Sequence, residues 1–117
     1  MQLFLQNGEY GGVIYFRPET VKRFTSAPNS NNGNRRGIGF DKPERNPSRN
    51  GPTARSASPE SYGHSGFTGT IAWVDPRDEL VYIFLSNRVH PDQFHNKLLQ
   101  MNLRTKIQQL VYDSIID

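Results

Sequence analysis

The sequence predicts an α+β fold in which a small antiparallel sheet is flanked by helices. Residues 66–74 and 79–87 are rich in β-branched and aromatic side chains, and Asp-Pro-Arg-Asp between them is a turn signal. Two such runs joined by a tight turn predict a β-hairpin. The chain ends in an amphipathic segment whose apolar residues repeat at helical spacing. We therefore expect about three strands, at 36–40, 66–74 and 79–87, with a C-terminal helix and short N-terminal helices.

The N-terminal part predicts two short helical pieces. Met1 to Gly8 has the composition of a helix end, since glycine is the usual residue in the left-handed conformation after a helix. Residues 11–16 are extended, and residues 17–24 predict a second helix with Pro18 at its first position. A chain that opens on a helix end predicts that Met1 lies inside a longer protein or at an artificial start.

The segment 41–61 predicts a long mobile loop between the first two strands. Its prolines and serines disfavour helix and strand. The arginines here and at 35 and 36 make this region basic, and the net charge of the chain is +3. A solvated basic loop is favoured over a nucleic-acid site, because no binding motif accompanies the charge. Beside an active site, the positive potential could attract carboxylate substrates.

The C-terminal helix is predicted to start after Asn102, a residue that can cap it. One face is apolar and is predicted to pack on the sheet. Its residues are Leu103, Ile107, Leu110, Val111, Ser114 and Ile115.

Length and composition limit the function classes. A chain of 117 residues with 34% hydrophobic content is one small domain or part of one. The absence of cysteine excludes disulfides and thiol chemistry. No apolar run approaches the roughly 20 residues that span a bilayer, and the first ten residues do not resemble a signal peptide. We expect no membrane span, no targeting segment and no cofactor. His90 and His95 lack a third ligand, so no metal site is expected.

Glycines are spaced by three in the stretch 62–70, Tyr-Gly-His-Ser-Gly-Phe-Thr-Gly-Thr. Gly63, Gly66 and Gly69 keep side chains off the backbone, which suits a strand whose main chain approaches another molecule closely. The following run 79–87 is almost continuously apolar, as expected of a central strand covered on both faces.

The motif His64-Ser65-Gly66, followed by strand, turn, strand and then Asn-Arg-Val-His-Pro at 87–91, resembles the third motif region of the serine β-lactamase and penicillin-binding-protein superfamily. It is most similar to the class C β-lactamase and esterase branch, where His-x-Gly replaces Lys-Thr-Gly. The resemblance is specific over residues 60–91. It implies that residues 1–117 form a single C-terminal segment of a β-lactamase-like domain.

The resemblance implies a role for each residue of the motif. His64 takes the position of a cationic or hydrogen-bonding side chain that faces the nucleophile and substrate. Ser65 can bond a substrate carboxylate or carbonyl, and Gly66 leaves room for the substrate. The Phe67 N–H takes the position of the second oxyanion-hole donor, and Thr68 is a further substrate-binding residue.

Two other parts of the family's machinery have no counterpart in this sequence. No serine begins a Ser-x-x-Lys, and no tyrosine begins a Tyr-x-Asn; the Ser-x-Asn at residues 30–32 is a chance match in an asparagine-rich loop. We therefore predict a C-terminal fragment of a serine hydrolase for β-lactams, D-alanyl peptides or esters, inactive alone. Its partner would be the missing N-terminal part of a periplasmic or secreted parent.

Two other function classes stay open, a non-catalytic β-lactamase-like binding scaffold and, ranked last, a basic nucleic-acid-binding module. A Ser65–His64 catalytic dyad is not expected, because adjacent strand residues point to opposite faces. Removing the rest of the domain leaves an apolar sheet face uncovered. A homodimer is therefore a further expectation.

Overall fold

The computed structural model describes residues 1–28, 30, 33–94 and 96–115. A two-stranded sheet pairs β1 with β2, and a three-stranded antiparallel sheet has the order β3-β4-β5. This arrangement confirms the α+β class. The helices are α1 (Gln2–Leu5), α2 (Pro18–Thr25), α3 (Lys97–Gln100) and α4 (Leu103–Asp113), and the strands are β1 (Glu9–Tyr10), β2 (Val13–Ile14), β3 (Tyr62–Ser65), β4 (Ile71–Asp75) and β5 (Leu80–Phe84).

The central hairpin of β4 and β5 forms as predicted. Asp75 pairs with Leu80 beside the turn, and Trp73 faces Tyr82 across the strands. Trp73 and Tyr82 are buried in a cluster that also includes partly buried Val111 of α4. The C-terminal helix therefore covers this face of the sheet.

The predicted strand at 36–40 is wrong. The Gly37 N–H donates to the Phe40 carbonyl at 2.7 Å, which closes a tight turn, and the Gly39 N–H donates to Phe24 of α2 at 3.0 Å. These backbone groups are therefore bonded within the turn and to the end of a helix, and they do not join a strand ladder.

The predicted strand at 66–74 is divided in the structure. The Gly66 N–H donates to the Thr70 carbonyl at 2.8 Å, and the Gly69 N–H donates to Gly66 at 3.0 Å. Gly69 has φ +91°, a conformation that ends an extended run. A turn at 66–70 therefore separates β3 from β4, and β3 is the third strand of the sheet. The strand predicted at 79–87 is shorter, β5 (Leu80–Phe84), and Glu79 before it has φ +50°. The expectation of a central strand covered on both faces is wrong, because β5 is at the edge of the described sheet and Ile83 is 56% exposed.

The N-terminal elements are close to their predictions. Pro18 occupies the first position of α2. Gly8 has φ +96° after α1, and its N–H donates to Leu3 at 2.8 Å, as expected of a left-handed helix end. The extended piece at 11–16 includes β2, which pairs with β1 across Gly11 and Gly12. Both glycines have positive φ, which suits a two-residue hairpin turn.

The C-terminal helix exists, and Val111 of its predicted apolar face packs against the sheet, but the prediction is wrong for the fully buried positions. Its buried residues are Thr105, Gln108 and Tyr112, whereas Leu110 is 64% exposed. Polar partners explain the difference, since the Gln108 side chain accepts hydrogen bonds from Thr53 and the backbone of the loop. Asn102 precedes the helix, but its side chain makes no capping bond to the described N–H groups.

The segment 41–61 contains no helix or strand, as predicted. One side of it is nevertheless packed, since Ser58 and Ser61 are fully buried and Ala54 belongs to a buried cluster that includes Tyr112 of α4. Its mobility stays a prediction. None of the helices in the described ranges has the length and apolar character needed to cross a bilayer.

Candidate functional site

The predicted site residues lie together where β3 ends and the turn to β4 begins. His64 and Ser65 are the last residues of β3, and Gly66, Phe67 and Thr68 follow in the turn. The ring of Phe67 is 68% exposed, and His64 is also exposed. The structure therefore brings these five residues to one accessible end of the sheet.

One edge of β3 is partly open. β4 pairs with the other edge, whereas on the open side the Gly63 N–H donates to Asp41 at 3.1 Å and the Asp41 N–H donates to Gly63 at 2.8 Å. Alternate residues of an antiparallel strand direct their backbone groups to the same edge. Ser65 therefore presents its N–H and C=O next to Asp41, where the described part of the chain places no further strand.

The backbone N–H of Phe67 is a free donor within the described ranges. The N–H groups around it are engaged, since that of Gly66 donates to Thr70 and that of Gly69 donates to Gly66. No described residue accepts a hydrogen bond from the Phe67 N–H. The turn therefore fixes the position of this amide without using its hydrogen in a bond to the described residues.

Arg88 and Ser86 hold the turn from the segment after β5. The Thr68 carbonyl accepts the Arg88 N–H at 2.9 Å and the Ser86 hydroxyl at 3.0 Å. The Arg88 guanidinium lies 4.6 Å from the centre of the Phe67 ring and donates to Asn96 at 2.9 Å. The Asn-Arg-Val-His-Pro motif thus supports the turn, a role that its sequence alone did not indicate. The Thr68 carbonyl is therefore engaged, and its side chain is half-buried.

His64 contacts Arg36, a residue that sequence reasoning placed only in a basic region. Arg36 Nη1 lies 3.3 Å from His64 Nε2 and forms an ion pair with Asp41. Arg35 Nη1 lies 3.7 Å from the other oxygen of Asp41. No sequence signal identifies this contact, because it depends on a tight turn at 37–40, where the sequence predicts a strand.

Lys42, the residue after Asp41, is a further charged side chain that lies outside the site. Its Nζ donates to the Glu60 carbonyl at 2.7 Å and lies 5.5 Å from the centre of the Tyr62 ring. Burial lowers the pKa of Lys42 to about 8 and raises the pKa of Tyr62 to about 12. Both side chains line a cavity of about 1110 Å³ between the N-terminal helices and the loop, and its lining includes none of the five site residues.

The described side chains contain no group of three His, Cys, Asp or Glu residues that could hold a metal ion. His90 is among the described residues, but His95 lies outside them, as do Asn31 and Asn32 of the Ser-x-Asn match.

The end of β3 at His64 and Ser65 and the turn that follows therefore carry the residues on which the family resemblance is based. A family profile described as Beta-lactamase matches residues 7–104. The chain therefore belongs to the β-lactamase family, which confirms the resemblance to the serine β-lactamase and penicillin-binding-protein superfamily.

Curated relatives support the same family. The chain is 38% identical over 90 residues to a protein of Escherichia coli K12 named "Putative D-alanyl-D-alanine carboxypeptidase". The aligned segment covers 77% of this chain and 20% of that protein. A protein of the same name in Salmonella paratyphi B is 37% identical over 90 residues, with the same coverage. The chain thus spans about a fifth of the length of these relatives.

Proposed function

We propose that this chain supplies the His-x-Gly strand and one oxyanion-hole amide to a serine hydrolase that transfers acyl groups from a β-lactam, a D-alanyl peptide or an ester. The observation that carries the proposal is the Phe67 N–H, which is fixed in the turn and donates to no described residue. The name of the relatives favours the D-alanyl peptide among the three substrates.

Acyl transfer requires such an amide. When a serine hydroxyl attacks the substrate carbonyl, the carbonyl oxygen becomes an oxyanion, and fixed N–H donors stabilise it. The Phe67 N–H would be one donor, and the other would come from the upstream part of the parent, with the nucleophile. The chain alone would therefore be inactive.

The remaining site residues would bind and orient the substrate. The open backbone groups of Ser65 would pair with an extended substrate as an added strand. The Ser65 hydroxyl would bond a carboxylate or carbonyl, and Gly66 would leave room beside it. His64 would face the substrate and nucleophile, and Thr68 would contribute its side chain. The proposed reaction uses no cofactor. The parent would be periplasmic or secreted.

The test compares Phe67→Pro with Phe67→Ala in the parent protein with its upstream region. Proline removes the backbone N–H, whereas alanine keeps it and removes only the ring. We expect kcat to fall by about 10²–10³-fold for the proline variant, as for loss of one oxyanion-hole donor. Alanine should cost much less. Equal effects of the two variants in folded protein, checked by circular dichroism, would contradict the role of the amide.

A second experiment separates the chain from its parent. Intact mass is measured after incubation with a penicillin and, separately, with a fluorophosphonate serine probe. We expect no adduct on the 117-residue chain and one adduct per molecule on the parent. A stoichiometric adduct on the chain would place a nucleophile within it. A folded parent that reacts with neither probe would favour the non-catalytic binding scaffold.

A further inference from the structure

The contact between Arg36 and His64 determines which ring nitrogen of the neutral histidine carries its proton. Arg36 Nη1 lies 3.3 Å from His64 Nε2. A guanidinium has only N–H donors and stays protonated in proteins. The Nε2 atom must therefore accept this hydrogen bond, and the proton of neutral His64 lies on Nδ1.

Arg36 is held in place by a residue that is itself fixed to β3. Its ion-pair partner Asp41 is 7% exposed, and both the N–H and the C=O of Asp41 bond to Gly63. Gly63 directly precedes His64 in the strand. Asp41 is bonded to the strand that carries His64, so its ion pair anchors the guanidinium beside the ring, although 57% of the Arg36 side chain is exposed.

We propose that Arg36, anchored by Asp41, is a positioning residue that holds His64 in its Nδ1–H tautomer. His64 then offers the site a hydrogen-bond donor and not a base. The consequence for catalysis rests on the proposed function, whereas the tautomer itself does not.

This tautomer assigns His64 a definite role. With Nε2 bonded to a permanent cation, the ring has no free lone pair with which to remove a proton from a nucleophile. Its Nδ1–H has no acceptor among the described residues, so it is available to bond an anionic oxygen. His64 would therefore stabilise negative charge on a substrate carboxylate or a developing oxyanion.

The test is ¹⁵N NMR of the histidine side chains in the full chain. Spectra are recorded over a series of pH values, and the tautomer is read from the plateau that the ¹⁵N shifts reach at high pH. A His64→Gln variant identifies the His64 signals. Arg36→Met removes the donor but keeps most of the apolar stem. Arg35→Met is the matched control, because Arg35 pairs with the same aspartate but its bonded partners do not include His64.

We expect His64 to be mainly Nδ1–H in the unmodified chain and in Arg35→Met. In Arg36→Met, the Nε2–H form that free histidine prefers should become the majority. A majority of Nε2–H in the folded, unmodified chain would overturn the proposal, and that result needs no variant to fold. An equal change in both variants would also overturn it. Because no turnover is measured, a failure of the proposed hydrolase function would leave this result unaffected.

Discussion

The hydroxyl of Tyr112 in α4 donates a hydrogen bond of 2.7 Å to Oδ2 of Asp75, the last residue of β4. Asp75 is 1% exposed, and it also accepts the N–H groups of Ser58 at 2.7 Å and Arg77 at 3.1 Å. A buried carboxylate needs such donors in place of water. This network joins the C-terminal helix and the 41–61 loop to β4, the strand that supports β3 and its site.

Tyr112→Phe should destabilise the chain. The substitution keeps the ring but leaves the buried Asp75 carboxylate without one donor, so we expect the free energy of unfolding to fall by about 1–3 kcal/mol. Urea denaturation followed by fluorescence measures it. Tyr15→Phe is the control, because Tyr15 is 58% exposed, and its effect should stay within about 0.5 kcal/mol. Equal stability of the two variants would show that the hydroxyl of Tyr112 is not needed.

Lys42 should make stability depend on pH in the alkaline range. Burial lowers the pKa of Lys42 to about 8 in the folded chain, whereas an unfolded lysine titrates near 10.4. Between these values the unfolded state binds the proton and the folded state does not, so this residue's contribution to stability rises with pH. Lys42→Met should remove that rise in urea midpoints measured from pH 7 to 10.5. Lys106→Met, at an exposed position, should retain it; a rise of unchanged size in Lys42→Met would refute the assignment.

Gly63→Ala should disturb the strand that carries the site. A Cβ atom at Gly63 would lie 2.7 Å from Cδ2 of the buried Trp73 ring, and closer still to the carbonyl oxygen of Ala72. Overpacking of this kind costs about 1–3 kcal/mol. Gly39→Ala is the comparison, since its nearest atom would be 3.3 Å away. Chemical denaturation of both variants should rank Gly63→Ala as clearly the less stable, and the reverse order would contradict the packing described.

The chain should self-associate. The sequence predicts a homodimer because an apolar sheet face is left uncovered, and in the structure we expect the contact to involve β5 and Leu85 directly after it. Ile83 is 56% exposed and Leu85 is 80% exposed, and β5 pairs with β4 along one edge while the described residues place no strand along the other. Unpaired apolar edges favour association. Sedimentation velocity should detect dimers or larger species, and Leu85→Lys should weaken association roughly tenfold, or by about 1.4 kcal/mol. Phe94→Lys, at another 80% exposed residue, should have little effect. A monomer at all concentrations would exclude this expectation.

The sequence correctly predicted features that depend only on residues close together in the chain. The Asp-Pro-Arg-Asp turn and its flanking β-branched runs predicted the β4–β5 hairpin, and Pro18 marked the first position of α2. The His-Ser-Gly motif led to the family that the profile match shows. Its turn was missed, because Phe67, Thr68 and Thr70 favour strands, whereas positive φ at Gly69 ends the strand.

The composition of α4 was also misleading about its packing. Periodicity selected a face that includes Leu110, but Gln108 and Tyr112 are the buried side chains. Their polar atoms find partners in Thr53 and Asp75, which lie far away in sequence. A hydrophobic pattern cannot reveal such partners, because it assigns polar residues to the solvent-exposed face of a helix, whereas a hydrogen-bonded polar residue can be buried.

Turn chemistry and local periodicity act over a few residues, so they were enough to predict the hairpin, the start of α2 and the residues of the motif. The edge position of β3 and the contact of Arg36 with His64, 28 positions away, became visible in the folded chain. The folded chain also shows that Tyr112 reaches Asp75 across 37 positions. The physical reason is that these hydrogen bonds depend on where a tight turn and a packed loop place the chain in space, which no local pattern specifies.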